Sequence, residues 1–193
     1  FFLLYEKGIL RKQIINLIPN EYFEVSIAGL YKIEKLLSNY LIGLLLQMTA
    51  IFSIAFAGLS VFGINYAASI ALFAAVINLI PYLGPILGAT FGILVGLSTS
   101  GTQIFASNQF IIMIIEIASV FGIVQLTDNV ILQPLIFSKS VKAHPLEIFI
   151  IIFVGATLGG IIGMIAAIPV YTIVRVSFVE FSSGFKQYQI FKN

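Results

Sequence analysis

The chain has 193 residues, of which 60% are hydrophobic and 9% charged, with a formal net charge of +2 and a mean hydropathy of +1.09. A soluble domain carries roughly a quarter charged residues, so a water-soluble fold is excluded. Long Ile, Leu and Val runs without period-2 alternation argue against a transmembrane barrel, and the absence of Cys excludes disulfides and thiolate metal sites. What remains is an all-α polytopic membrane protein, because each apolar segment must satisfy its own backbone hydrogen bonds in lipid.

In chain order, residues 1–5 (FFLLY) read as the end of a truncated membrane helix, so the chain is expected to be the C-terminal part of a longer protein. Residues 6–38 read as a cytoplasmic amphipathic segment. After Pro19, the residues Phe23, Ile27, Leu30, Ile33 and Leu37 recur at helical spacing with Glu and Lys between them. Such a helix could lie on the membrane or pack against a neighbouring subunit. Residues 39–178 form the membrane domain, and residues 179–193 a cytoplasmic tail.

The charges orient these segments. All ten Lys and Arg fall in residues 7–35, 139–142 and 175–192, while between Tyr40 and Ser138 the only acidic residues are Glu116 and Asp128. Basic segments face the cytoplasm, which puts the uncharged stretch 98–109 outside. Residues 39–63 then span outward, and GINY (63–66) turns the chain. Residues 67–98 must enter and return, with arms of about 14 residues reaching roughly 20 Å, as a half-membrane hairpin or two short tilted helices. Its turn is assigned to PYLGP (81–85), since Pro removes a helix donor and Gly tolerates a tight reversal. Residues 109–137 span inward, 147–158 re-enter, the glycines of GATLGG (155–160) loosen the helix, and 161–174 return.

Span plus hairpin, repeated with opposite orientation, is an inverted repeat of interrupted helices, with a site expected near the midplane where the breaks meet. GATFGILVG (88–96) matches GATLGGIIG (155–163), although small-residue helices also resemble one another by chance.

Asp128 is the sole aspartate and sits in an apolar segment, where an ionisable group by default suggests function. Gln125, Asn129 and Gln133 surround it in a polar sector. The alternative is a helix-end anchor wetted by headgroups. Glu116 lies about 120° away around the same helix and could carry a proton or act as protonated glue between helices. Asn78, Pro81, Tyr82, Gly84 and Pro85 could expose backbone groups to a substrate, or serve as punctuation and close packing. Gly155, Gly159 and Gly160, with Pro169, carry the same pair of readings with more weight on packing. The single histidine, His144, is a poor metal site and suits a turn ahead of Pro145. No cofactor or metal is expected, and nothing suggests nucleic acid. No nucleotide-binding Gly-rich motif is present, so gradient-driven transport fits better than ATP hydrolysis. An aspartyl intramembrane protease would need two membrane aspartates. A channel or structural subunit is the remaining alternative.

The stretches YLIGLLLQ (40–47), NLIPYLGPILG (78–88), DNVILQP (128–134) and AHPLEIFIIIFVGATLGGIIGMIAAIPVY (143–171) follow, in order and spacing, the motifs of the autoinducer-2 exporter family of bacterial membrane transporters. The chain resembles that family over residues 1–180. The resemblance implies a multi-pass bacterial inner-membrane permease exporting a small polar quorum-sensing molecule, with cation/proton antiport as the alternative. It also implies H+ or Na+ as coupling ion, the lipid bilayer as surroundings, and a homo-oligomer such as a pentamer. The motif match adds weight to Asp128.

Overall fold

The computed structural model describes residues 23–80, 83–99, 108–140 and 144–190. The expected helix end at 1–5, all of the 6–22 stretch, Pro81, Tyr82, most of the stretch 98–109 that charge assigns to the outside, and the last three residues lie outside them. The elements are α1 (Phe23–Val61), α2 (Ala67–Ile77), α3 (Leu83–Thr99), α4 (Gln109–Thr127), a π-helical turn (Asp128–Leu132), α5 (Gln133–Ser140) and α6 (Pro145–Ile190). Among the described residues there is no strand, and three segments are long and apolar enough to cross a membrane: Ile27–Val61, Gln109–Ile136 and Leu146–Val179. The chain is an all-α polytopic membrane protein.

Two compact units can be distinguished, residues 39–167 and a second made of residues 1–38 with 168–193. In the second unit, Ile27, Leu30, Ile33 and Leu37 are half-buried while Lys32, Glu34 and Lys35 are exposed. The amphipathic stretch nevertheless runs without interruption into the first span, as one helix. In the other arm of this unit Ile168, Thr172 and Val176, four apart, are buried.

Helix α1 ends where glycine permits it. Gly63 adopts φ 69°, the N–H of Ile64 donates to the Leu59 carbonyl and that of Gly63 to the Ser60 carbonyl. This left-handed cap satisfies the last carbonyls of α1. The membrane unit is then built on an antiparallel pair. A Cβ on Gly58 would stand 2.8 Å from Val120 Cγ1, and one on Gly43 would stand 2.9 Å from Ile136 Cγ2, so glycine brings α1 against α4 and α5 at both ends. Ile51, Ala55 and Leu59 line the same face at helical spacing and are buried.

The first hairpin is α2 with α3. At 1.5 Å per residue, α2 is about 17 Å long and α3 about 26 Å, so α2 falls well short of a bilayer core. Helix α2 ends at Ile77 and α3 begins at Leu83, so Gly84 and Pro85 of PYLGP already belong to the first turn of α3 rather than to the connection. Proline is tolerated there because a first-turn N–H has no intrahelical partner to lose. Gly84, Gly88, Gly92 and Gly96 form a stripe four residues apart and are buried. Substituent Cβ atoms at Gly88 would meet Ala74 and Phe121, at Gly92 Ile70 and Ile117, and at Gly96 Met113. The stripe therefore seats α3 against α2 and α4 together.

The second hairpin lies within α6, where Gly159 (φ −141°, ψ 15°) and Gly160 (φ 58°, ψ −138°) leave helical geometry. In a straight helix Gly155 and Gly163 would be about 12 Å apart. Instead a Cβ on Gly155 would stand 2.9 Å from both the Gly163 carbonyl carbon and Ala167 Cβ, so the chain turns back on itself. Leu146–Val179 is thus two arms, and the break is confined to Gly159 and Gly160; Gly155 sits inside the first arm. The stretches 88–96 and 155–163 consequently occupy different places, one a continuous helix beyond its reversal, the other containing the reversal.

Candidate functional site

The polar centre of the membrane unit forms where α4 gives way to the π turn. The backbone N–H of Gln133 donates to the Asp128 carbonyl, five residues back. Pro134 follows; it has no N–H, and its ring would press the carbonyl four residues before it, so a widened turn immediately ahead relieves the clash. The widening has a chemical consequence. Side chains five apart on a regular α-helix diverge by about 140°, whereas here Gln133 lies under Asp128. Gln133 Nε2 donates to Asp128 Oδ2 at 2.8 Å and to Asn129 Oδ1 at 3.3 Å.

From the facing helix, Gln47 Nε2 donates to Asp128 Oδ1 at 2.5 Å. Gln125 Nε2 donates to Asn129 Oδ1 at 2.9 Å, while its own Oε1 is buried without a hydrogen-bond partner. Asp128 has no exposed surface, and Gln47 (4%) and Gln133 (6%) are buried beside it. Both carboxylate oxygens thus meet amide donors rather than a cation, in keeping with a sequence that has no Lys or Arg from residue 40 to residue 138. Among the described residues no three His, Cys, Asp or Glu side chains come together as a metal would require.

Four expected residues, Asp128, Asn129, Gln125 and Gln133, therefore form one network. Glu116 is half-buried and lies twelve residues earlier, about 18 Å along the helix, outside it. Asn78 caps the end of α2; it is 2% exposed, and its Nδ2 and Oδ1 lack hydrogen-bond partners. Gly84 and Pro85 are buried beside it: a Cβ on Gly84 would stand 2.5 Å from Asn78 Oδ1 and 2.8 Å from the Ala74 carbonyl oxygen. Gly84 thus serves close approach rather than a positive φ. Pro81 and Tyr82 lie outside the described residues. Gly155 packs between the arms of the second hairpin, while Gly159 and Gly160 are exposed at its tip. His144 accepts the Leu146 N–H on Nδ1 at 3.4 Å and the Ile148 N–H on its carbonyl at 3.2 Å, the helix-start contact expected of it.

Sequence reasoning missed Gln47. The available signal was a single amide in the apolar run LIGLLLQM, as costly to bury alone as any polar group in a span.

The AI-2E family transporter profile matches residues 1–182. The chain belongs to the AI-2E transporter family. It is 31% identical over 166 residues to "Putative transport protein YueF" of Bacillus subtilis (strain 168), covering 86% of this chain and 42% of that protein. It is 29% identical over 181 residues to "Putative transport protein YrrI" of the same organism, covering 94% and 48%. The chain thus spans less than half the length of these relatives. No solved structure matches it.

Proposed function

We propose that this AI-2E family chain forms part of a secondary transporter that exports a small polar molecule of the autoinducer-2 kind across the bacterial inner membrane, driven by an H+ or Na+ gradient. The observation that supports it is Asp128: a carboxylate with no exposed surface in an apolar span, met on both oxygens by neutral amides. An ionisable group so placed is costly and is retained where it exchanges a proton or cation. The buried, unpartnered Asn78 at the reversal of the first hairpin supports a polar pathway beside interrupted helices. Glu116 is an accessory proton carrier on the same helix. The assembly is a homo-oligomer in the bilayer. Cation/proton antiport is the second reading, favoured by the same carboxylate, and a channel is the third.

The test is uptake of autoinducer-2 into inverted vesicles holding the full-length protein, with and without an imposed pH or Na+ gradient. Asp128→Asn is expected to lower gradient-driven uptake at least tenfold while assembly is retained. Normal uptake by the assembled variant removes Asp128 as the coupling group. Na+/H+ exchange without uptake selects the antiporter, and non-saturable flux the channel.

A further inference from the structure

Resting on the reading of Asp128 as the coupling carboxylate, we propose that Gln47 is the positioning residue through which helix α1 registers whether Asp128 carries a proton. Of the two side chains that reach the carboxylate, Gln133 stands on the same helical segment and moves with it. Gln47 comes from another element, 81 residues earlier, and its hydrogen bond to Oδ1 is the side-chain link between that oxygen and α1. The amide is suited to both charge states. An ionised carboxylate only accepts, and so takes the Nε2 donor seen here; a protonated one has an O–H to give, for which Oε1 of the same amide is the acceptor. The Gln133 amide also donates to Asn129 Oδ1, which favours Asp128 Oδ1 as the oxygen that takes the proton, and with the proton there the Gln47 amide must invert. Gln47 is 4% exposed, so bulk water does not compete for the bond to Oδ1.

The titratable groups on the neighbouring elements stand turns away along their helices. On α1 the nearest is Tyr40, about two turns before Gln47; on α4 it is Glu116, about three turns before Asp128; on α5 it is Lys139, about three turns after Asp128. The described residues of α2 and α3 carry no ionisable side chain, and Gln125, Asn129 and Gln133 are neutral. Inversion of Gln47 exchanges an N–H for a carbonyl at the point where α1 faces the π turn, four residues from Gly43, whose missing side chain admits Ile136. Protonation of Asp128 is thereby felt at the α1–α5 contact.

The experiment uses the purified full-length protein in lipid and reads infrared difference spectra across a pH step, with the Asp128 carboxyl band identified by its loss in Asp128→Asn. Gln47→Met keeps the bulk and removes both the donor and the acceptor. It is expected to shift the Asp128 band and to lower gradient-driven uptake of autoinducer-2 at least tenfold. The isosteric exchange, Gln47→Glu with Asp128→Asn, keeps one carboxylate and one amide facing each other and is expected to recover uptake above either single variant. It also decides the matter should Gln47→Met fail to assemble. An unshifted Asp128 band in Gln47→Met, or an exchange variant no better than its singles, overturns the proposal. If Asp128→Asn itself transports normally, the coupling reading fails on its own account, separately from the band shift that reports the Gln47 bond.

Discussion

The two hairpins of the membrane unit start from nearly the same sequence and end as different devices. In the first, GATFGILVG lies in α3, and its glycines are filled in by neighbours: Ala74 and Phe121 at Gly88, Ile70 and Ile117 at Gly92, Met113 at Gly96. In the second, GATLGGIIG carries the reversal. Gly155 and Gly163 close the two arms on one another, whereas Gly159 and Gly160 would meet nothing within 4 Å. Leu158 and Ile162 beside them are 84% and 80% exposed. A glycine in the first hairpin therefore serves the approach of three helices, and a glycine at the second tip serves the backbone dihedral alone. Small-residue motifs do not fix their own role; their partners do.

This contrast can be tested by four perturbations of decreasing effect. The largest is all-or-none. The chain has no native Cys, so single cysteines at Ser140 and Ser183 can be probed with an impermeant thiol reagent in intact cells expressing the full-length protein. Both are expected to label only after permeabilisation, with a cysteine at Thr102 labelling from outside. Labelling of Ser183→Cys from outside breaks the comparison, because residues 147–174 would then cross the membrane rather than return.

Next comes Gly88→Val. Even the first added carbon would lie 2.6 Å from both Ala74 Cβ and Phe121 Cε1, so the packing of three helices must yield. Overpacking of this kind costs about 1–3 kcal/mol or more, and the assembled protein should melt well below the parent in a thermal-shift assay.

Gly160→Ala should cost less. At φ 58° and ψ −138° an L-residue is strained by about 1–3 kcal/mol, but the new methyl meets no neighbour. A smaller fall in melting temperature than for Gly88→Val is expected, with the arms still closed at Gly155 and Gly163.

Smallest is Gly159→Ala, at φ −141° with open space around it, expected to change stability by less than about 0.5 kcal/mol. Should it prove as damaging as Gly88→Val, the second tip is held by contacts of its own and the two hairpins are alike after all.

Much of this architecture is legible along the chain. Hydropathy and the absence of Lys and Arg between residues 40 and 138 locate the spans; Gly63, the Asn78–Pro85 region and the Gly159–Gly160 pair mark where helices fail; and Asp128 stands out as the only aspartate. These are local properties, because a helix satisfies its backbone within itself and breaks where a donor is missing or where only glycine tolerates the required dihedral. The amphipathic character of residues 27–37 is of the same kind.

Other features needed the fold. Gly84 and Pro85 belong to α3 rather than to the turn ahead of it, because first-turn positions accept proline. The π turn places Gln133 on Asp128 at a spacing that regular helical periodicity assigns to a different face. The pairing of Gln47 with Asp128 depends on α1 and α4 packing antiparallel through Gly43 and Gly58. Sequence by itself thus determined which segments are helical, in which stretches they break and which carboxylate is isolated. Tertiary structure alone decided what that carboxylate faces, since a contact between residues 81 apart is set by which surfaces can approach, and no periodicity along one strand of chain records the shape of the other.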